Sequence, residues 1–358
     1  MRYLERCLLS VAVILAFPLC GLAQPPKPPL PPGPPPGFAP PEFKPAPKVA
    51  KTHVPQPTFN SVAEAGADYQ VQGEYVGKIR NDEGEVQQGV QIIALGDGTF
   101  RAVGYHGGLP GAGWDRSETI EVEGSTVGGQ TTFTVSDPPI TATVADGVMT
   151  IKEADGHVLG TLKKTTRESP TLGAKYPAGA IVLFDGANAD AFENGQMENG
   201  LLLEGCTSKR TFKDHTLHLE FRTPFMPYSR GQSRGNSGVY VQGRYEIQIL
   251  DSFGLEGADN ECGGIYKASK PAVNMCLPPL AWQTYDIEFT AARFQDGTKT
   301  QDAKITVKHN GVVIHQDLKL PAVTPGGKLK TETEEAGPLF LQNHRNPVRF
   351  RNIWVVEK

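Results

Sequence analysis

The chain has 358 residues, of which 39% are hydrophobic, 21% charged and 8% aromatic, with a formal net charge of −4. At about 150 residues per domain this length points to two domains. The lack of a basic stripe argues against a nucleic-acid binder. The lack of an uncharged apolar run of about 18 residues excludes a multi-spanning helical membrane protein. With 40 glycines and 30 prolines, the composition favours short strands and turns over long helices.

The first elements are segments of targeting and tether. Arg2 and Arg6 precede the apolar stretch Leu8–Leu19, and Gly21-Leu22-Ala23 supplies small residues for cleavage after Ala23. Residues 1–23 therefore read as a secretory signal peptide, predicting a secreted or periplasmic protein, with association to the cell surface left open. An uncleaved anchor and lipidation at Cys20 are the alternatives. Residues 25–57 hold 15 of the 30 prolines, with Lys27, Lys44, Lys48 and Lys51 against the single acid Glu42. Such a segment cannot bury a core, so 24–60 reads as an extended, partly polyproline linker.

Export governs the cysteines. Once Cys7 and Cys20 leave with the signal, Cys206, Cys262 and Cys276 remain. An oxidising compartment then predicts a disulfide between Cys262 and Cys276, which bound a short loop. Cys206 is the odd, buried one. The three lack paired CxxC spacing, which disfavours a zinc site.

From 61 to 167 the pattern is strand and turn. Val90-Gln91-Ile92-Ile93-Ala94-Leu95 runs into Gly96-Asp97-Gly98, and Thr99–Tyr105 resumes. Gly128-Gly129 and Asp146-Gly147 repeat this hairpin signal. The reading is a small antiparallel β domain of unknown role. Its one long glycine loop, 106–115, carries Trp114 either as a binding residue or as a cap on the core. Arg167–Ala178, with Pro170 and Pro177, reads as a second hinge.

From 178 to 358 strand signals return. Leu217, Leu219 and Phe221 alternate with His218, Glu220 and Arg222; Val239 and Val241 alternate with Gly238, Tyr240 and Gln242; Tyr245, Ile247 and Ile249 alternate with Glu246 and Gln248. Period-2 alternation gives each strand one apolar and one polar face. Asn310-Gly311 marks a further hairpin. Many strands with no convincing helix predict an all-β protein whose second domain is a two-sheet sandwich or jelly roll. Glu246, Gln248, Tyr240 and Arg222 are expected together on one concave polar face. Such a face suits a sugar, and an ordinary solvated sheet face is the alternative.

Six segments in order carry a resemblance: Ile181–Gly186, Arg234–Tyr240, Tyr245–Asp251, Trp282–Asp286, Asn310-Gly311-Val312 and Val348–Ile353. Together they resemble the secreted 3-keto-disaccharide hydrolase domain, also described as a 3-keto-glucoside lyase/hydratase domain, over about residues 178–358. The resemblance implies a concanavalin A-like glucanase jelly roll acting on 3-keto-glycosides. Glu246-Ile247-Gln248-Ile249-Leu250-Asp251 is also similar to the E-x-D-x-x-E strand of laminarin-type retaining glucanases. It departs from that strand at Gln248, where those enzymes have aspartate, and at Asp251, a shorter acid.

A 3-keto sugar needs a base for the C2 proton, an electrophile for the ketone oxygen and an acid for the leaving oxygen. The candidates are Glu246 or His344 as base, Arg222 or a metal as electrophile, and Asp251 as acid or metal ligand. Asn236, Tyr240, Gln242, Gln248 and Gln342 are substrate-binding candidates. The acidic loop holding Asp251, Glu256, Asp259 and Glu261 leaves a divalent metal ion open as cofactor, with Asp251, Asp259 and Glu261 as candidate ligands. A solvated acidic loop is the alternative. The expected partner is an oligosaccharide or 3-keto-disaccharide substrate. The competing functions are a non-catalytic carbohydrate-binding module and a retaining glucanase-like glycosidase.

Overall fold

The computed structural model describes residues 56–81 and 84–358. The expected signal peptide and nearly all of the proline-rich linker lie outside the described residues. The linker's last residues do not behave as tether. Phe59 exchanges two backbone hydrogen bonds with Phe225, at 3.0 and 2.9 Å, and their rings lie 5.9 Å apart. A large apolar side chain at 59 finds a buried partner, so Phe59 belongs to the packed body.

One short helix, α1 (Gly66–Val71), was not expected from the sequence. Eight antiparallel strands follow: β1 (Gly73–Asn81), β2 (Gly84–Gly96), β3 (Thr99–His106), β4 (Ile120–Val127), β5 (Gln130–Ser136), β6 (Pro139–Ala145), β7 (Val148–Glu153) and β8 (Val158–Thr165). They pair in chain order and β8 closes on β1, forming a barrel without a free edge. The β2–β3, β4–β5 and β6–β7 turns fall at Asp97-Gly98, Gly128-Gly129 and Asp146-Gly147, and all six residues have positive φ, as tight hairpins demand. Tyr75, Ile92, Ala94, Phe100, Phe133, Met149 and Leu162 fill the interior.

The unbroken apolar run in β2 has a physical cause. Ile92 and Ala94 face the barrel interior, while Ile93, with Val103 and Tyr105 of β3, joins the core of the following sandwich. A strand buried on both sides loses its polar alternation. Trp114 packs edge-on against Tyr105 at 5.3 Å, as a cap rather than a displayed binding residue.

The sandwich comprises β9 (Ile181–Phe184), β10 (Phe192–Glu193), β11 (Met197–Glu198), β12 (Leu201–Leu203), β13 (Cys206–Phe212), β14 (His215–Arg222), β15 (Ser237–Val241), β16 (Tyr245–Ile249), β17 (Gln283–Thr290), β18 (Arg293–Gln295), β19 (Thr298–Gln301), β20 (Ala303–His309), β21 (Val312–Leu320), β22 (Gly337–Leu341) and β23 (Arg349–Glu357). A five-stranded sheet runs β10-β13-β22-β15-β16. An eight-stranded sheet runs β11-β12-β23-β14-β17-β20-β21, with β9 added on β23. Val239, Val241, Tyr245, Ile247 and Ile249 from the first meet Leu217, Leu219, Phe221, Tyr285, Ile287 and Phe289 from the second. The intervening positions are thereby turned outward, as the alternation requires. The protein is all-β, with antiparallel sheets throughout.

Residues 167–174 form a strap across the outer face of the eight-stranded sheet, not a free hinge. Ser169 Oγ meets Thr284 Oγ1 at 2.6 Å, Thr171 Oγ1 donates to Asp286 at 2.7 Å, and the Gly173 N–H donates to Glu220 at 2.6 Å.

The Cys262–Cys276 disulfide expected from export is not formed. Cys206, Cys262 and Cys276 are all free and buried. The two thiols are neighbours, hydrogen-bonded to each other, and each has a further core contact: Cys262 Sγ lies 3.3 Å from the Tyr285 hydroxyl, and Cys276 Sγ donates to the Leu250 and Leu277 carbonyls at 3.5 Å. Among the described residues no helix is long and apolar enough to cross a membrane.

Candidate functional site

The outer face of the five-stranded sheet carries a cleft of about 190 Å³. Its floor follows from register: Glu246 of β16 lies opposite Tyr240 of β15, and Gln248 opposite Gly238. A Cβ at Gly238 would come within 2.1 Å of Glu246 Oε1, so the carboxylate occupies the space that this glycine leaves open. Loops build the walls. Gln232 and Asn236 lie on one side, Gln342 and His344 on another, with Pro325-Gly326 and Tyr266 completing the rim.

Glu246 is the only carboxylate among the lining residues and is only 2% exposed. Burial pushes its pKa up to about 7, against a smaller opposing effect of the Tyr240 hydrogen bond. No cation pairs with it among the described residues, so its protonation changes near neutrality. The Tyr240 hydroxyl lies 2.6 Å from Glu246 Oε2 and 2.9 Å from the Pro325 carbonyl oxygen, and accepts from Gln342 Nε2 at 3.3 Å. Tyr240 has one proton and two acceptors in reach. When Glu246 is ionised, Tyr240 donates to it. When Glu246 is protonated, Glu246 donates to Tyr240, which turns its proton to Pro325. Burial and the adjacent Glu246 hold the Tyr240 phenol far above its ordinary pKa, so it remains a neutral donor.

The amides beside this pair are fixed to one another. Gln248 Nε2 donates to Asn236 Oδ1 at 2.9 Å, and Asn236 Nδ2 donates to Gln232 Oε1 at 3.1 Å. The Asn236 N–H donates to Asn346 Oδ1 at 2.7 Å. Gln342 Oε1 is buried and has no hydrogen-bond partner among the described residues; a buried acceptor left this way at a cleft is suited to a ligand hydroxyl. His344 is exposed at the rim.

Of the residues expected from the sequence, Glu246, His344, Asn236, Tyr240, Gln248 and Gln342 come together in this cleft. Three do not. Asp251 lies beyond the end of β16, is 4% exposed, and accepts from Arg234 Nε at 2.6 Å. It forms a buried ion pair at the barrel junction, where Arg234 Nη1 also donates to the Ala94 carbonyl at 3.1 Å. It is neither an acid facing the cleft nor a free metal ligand. Gln242 forms the β15–β16 turn with φ 51°, and its amide is spent on the Phe212 carbonyl at 3.1 Å. Arg222 stands on the outer face of the other sheet, on β14, with its guanidinium 5.0 Å from the Trp282 ring.

Two of the candidate metal ligands are engaged elsewhere. Asp251 is held by Arg234, and Glu261 Oε2 accepts the backbone N–H groups of Gly257 and Ala258 at 2.8 and 2.9 Å. No group of three or more His, Cys, Asp or Glu residues converges among the described residues. The candidate set Asp251, Asp259 and Glu261 therefore does not form a metal centre. The single cleft carboxylate likewise leaves the glucanase-like pair Glu246 and Asp251 unformed, since that chemistry needs two facing acids.

Sequence reasoning missed Gln232, Tyr266, Pro325 and Gly326. Tyr266 arrives because the loop after Asp251 returns along β16. The Gln248 N–H donates to the Gly264 carbonyl at 2.9 Å, and the Tyr266 N–H to the Glu246 carbonyl at 3.2 Å. The Thr324-Pro325-Gly326-Gly327 turn was a visible signal, but its target was not. Gly326 (φ +87°) closes so tightly on Tyr240 that a Cβ would lie 2.4 Å from the hydroxyl.

Residues 179–356 match the model of the 3-keto-alpha-glucoside-1,2-lyase-like domain. Among solved structures, a protein of Parabacteroides distasonis described as a "putative glycosyl hydrolase" is 33% identical over 51% of this chain and 85% of its own, with a TM-score of 0.46. Two others of the same description and organism are 16% and 21% identical. They cover 50% of this chain and 94% and 99% of their own lengths, with TM-scores of 0.38 and 0.36. No curated protein matches the chain. Through residues 179–356 the chain belongs to the 3-keto-alpha-glucoside-1,2-lyase-like domain family, and is carbohydrate-active in that sense.

Proposed function

We propose that the chain is an exported enzyme that cleaves a 3-keto-glycoside by elimination, with Glu246 as the base. The observation that carries this reading is a lone, buried carboxyl with its pKa at about 7 in a cleft otherwise lined by amides, tyrosines and a histidine. A general base works best when its pKa lies near the working pH. The C3 ketone acidifies the C2 proton. Glu246 takes that proton, the C2–H electron pair becomes the enolate, and the enolate expels the C1 oxygen. The leaving oxygen takes a proton, for which His344 at the rim is the available donor. The products are the free aglycone and a C1=C2 unsaturated keto sugar, to which water can add. With Arg222 on the other sheet, the ketone oxygen would be met by a neutral donor, for which the Tyr266 hydroxyl is the candidate, since Gln232 Nε2 and Gln342 Nε2 already donate to the Asn260 carbonyl and the Tyr240 hydroxyl.

The test is to incubate the full chain with 3-keto-trehalose and with trehalose in D₂O, with and without EDTA. Glucose release from the keto sugar alone, insensitive to EDTA and accompanied by deuterium at C2 of the recovered substrate or of the hydrated product, supports the proposal. Cleavage of trehalose itself would overturn it in favour of an ordinary glycosidase. Saturable binding of either sugar without turnover would overturn it in favour of a binding module. Loss of activity with EDTA would overturn the metal-free electrophile. Appearance of the processed chain outside the cytosol tests export.

A further inference from the structure

The outer face of the eight-stranded sheet holds three arginines in two adjacent rows. Arg222 lies opposite Arg349, and Glu220 opposite Arg351. Two of the three guanidiniums lie over one indole: Arg351 Cζ is 4.0 Å and Arg222 Cζ 5.0 Å from the Trp282 ring centroid. Their pairing differs. Arg349 bonds Glu198 at 3.0 Å and Glu204 at 3.3 Å. Arg351 uses only Nε, on Glu220 at 2.6 Å. Among the described residues nothing accepts a hydrogen bond from Arg222, nor from the two terminal nitrogens of Arg351.

A half-buried guanidinium beside two like charges and without an acceptor costs the fold stability. Burial, then Arg351 and Arg349, hold Arg222 below its ordinary pKa, and Tyr69 opposes them weakly. Stacking on an indole holds the plane of a guanidinium and leaves its N–H edge free. Two such edges on one ring present a fixed fork of donors, the geometry that carboxylate, phosphate and sulfate oxygens accept.

We propose that Arg222 and Arg351, laid over Trp282, form an oxyanion-binding site on the eight-stranded sheet, separate from the Glu246 cleft on the other sheet. Its ligand is a carboxylate, phosphate or sulfate group, free or carried on a glycan. The site does not depend on the reaction assigned to Glu246.

The experiment follows tryptophan fluorescence of the full chain during titration with sodium phosphate, sodium sulfate and glucuronate, each at constant ionic strength made up with chloride. A saturable change with one or more of these supports the site. Response to glucuronate alone identifies a carboxylate ligand, and response to phosphate or sulfate a tetrahedral one. R222Q should raise the midpoint about tenfold, in line with loss of one charge-assisted hydrogen bond. R222K, which keeps the charge and loses the fork, should fall between. A response no different from chloride in the wild-type chain overturns the proposal without reference to any variant. So does an unchanged midpoint in R222Q. In anion-free buffer R222Q should melt no lower than wild type, because it removes an unpaired cation.

Discussion

The two outer faces of the sandwich look alike in sequence and are opposite in chemistry. On the eight-stranded sheet, His218 Nδ1 meets Asp286 at 2.6 Å, and Glu220 binds Arg351, Asn352 Nδ2 and the Gly173 N–H. Burial alone would push the Glu220 pKa up, but those hydrogen bonds, with His218, outweigh it and bring it to about 2. On the five-stranded sheet, Glu246 is equally buried but has only Tyr240, and its pKa rises to about 7. Burial is common to both carboxyls. The difference is that the strap of residues 167–174 and strand β23 bring Glu220 the Gly173 N–H, Arg351 Nε and Asn352 Nδ2, whereas among the described residues the Glu246 carboxyl receives only the Tyr240 hydroxyl. A polar strand face becomes reactive where its charged residue is left without a partner.

The largest expected effect breaks this contrast from the catalytic side. Glu246→Gln should lower turnover of a 3-keto-glycoside by about 10²- to 10⁴-fold, the usual worth of a general base, and leave the folded state intact. Retention of full turnover would show that the cleft base is another residue. Next comes the saturated face. Glu220→Ala leaves Arg351 and His218 without their shared partner and should cost about 3 kcal/mol of stability, measured by urea unfolding, with the Glu246 cleft unaffected at low denaturant.

The two carboxyls should also respond to pH with opposite sign. Glu246 has a folded pKa of about 7, above its ordinary value of 4.5. Below 4.5 it is protonated in both states and contributes nothing. As pH rises from 4.5 to 7 the unfolded chain loses its proton first, so stability falls. Glu220, with a folded pKa of about 2, contributes stability above its ordinary 4.5, and this is lost as pH falls towards 2. Unfolding curves across pH 2–8 in Glu246→Gln and Glu220→Gln should each remove one of these limbs. The smallest effect sharpens the relay. Tyr240→Phe removes the hydrogen bond that opposes burial, so the alkaline rise of activity should move to higher pH, read in a pH–rate profile. A shift to lower pH would show that Tyr240 is not the donor to the Glu246 carboxylate.

Much of this architecture was legible in the alternation of short strands. Val239/Tyr240 and Glu246/Ile247 had to point to opposite sides of their strands, and Asp97-Gly98 and Asn310-Gly311 had to be turns. That local logic placed Glu246, Tyr240 and Gln248 on one face, because a strand's pleat depends only on the strand itself. It failed at strand ends and between sheets. Asp251 lies two residues past β16, where the pleat no longer governs, and Arg234 captured it. Arg222 shares the polar alternation of its strand, but which sheet the strand joins is a long-range choice, and β14 joined the sheet opposite Glu246. The expectation of export suggested a Cys262–Cys276 bond; the fold does make the two thiols neighbours, hydrogen-bonded to each other in the core, but no disulfide joins them in this structure.

The sequence by itself determined the all-β class, the hairpin turns at Asp97-Gly98, Gly128-Gly129, Asp146-Gly147 and Asn310-Gly311, and the two faces of strands such as β15 and β16, since these follow from backbone sterics and the burial of apolar surface within a few residues. Tertiary structure alone decided which carboxyl remained unpaired. That outcome rests on contacts distant in sequence: the strap bringing Gly173 to Glu220, β23 bringing Arg351, and the 251–265 loop and the Pro325-Gly326 turn enclosing Glu246. A carboxyl's pKa is set by the charges and donors within a few ångströms, and the fold, not the local sequence, decides which residues those are.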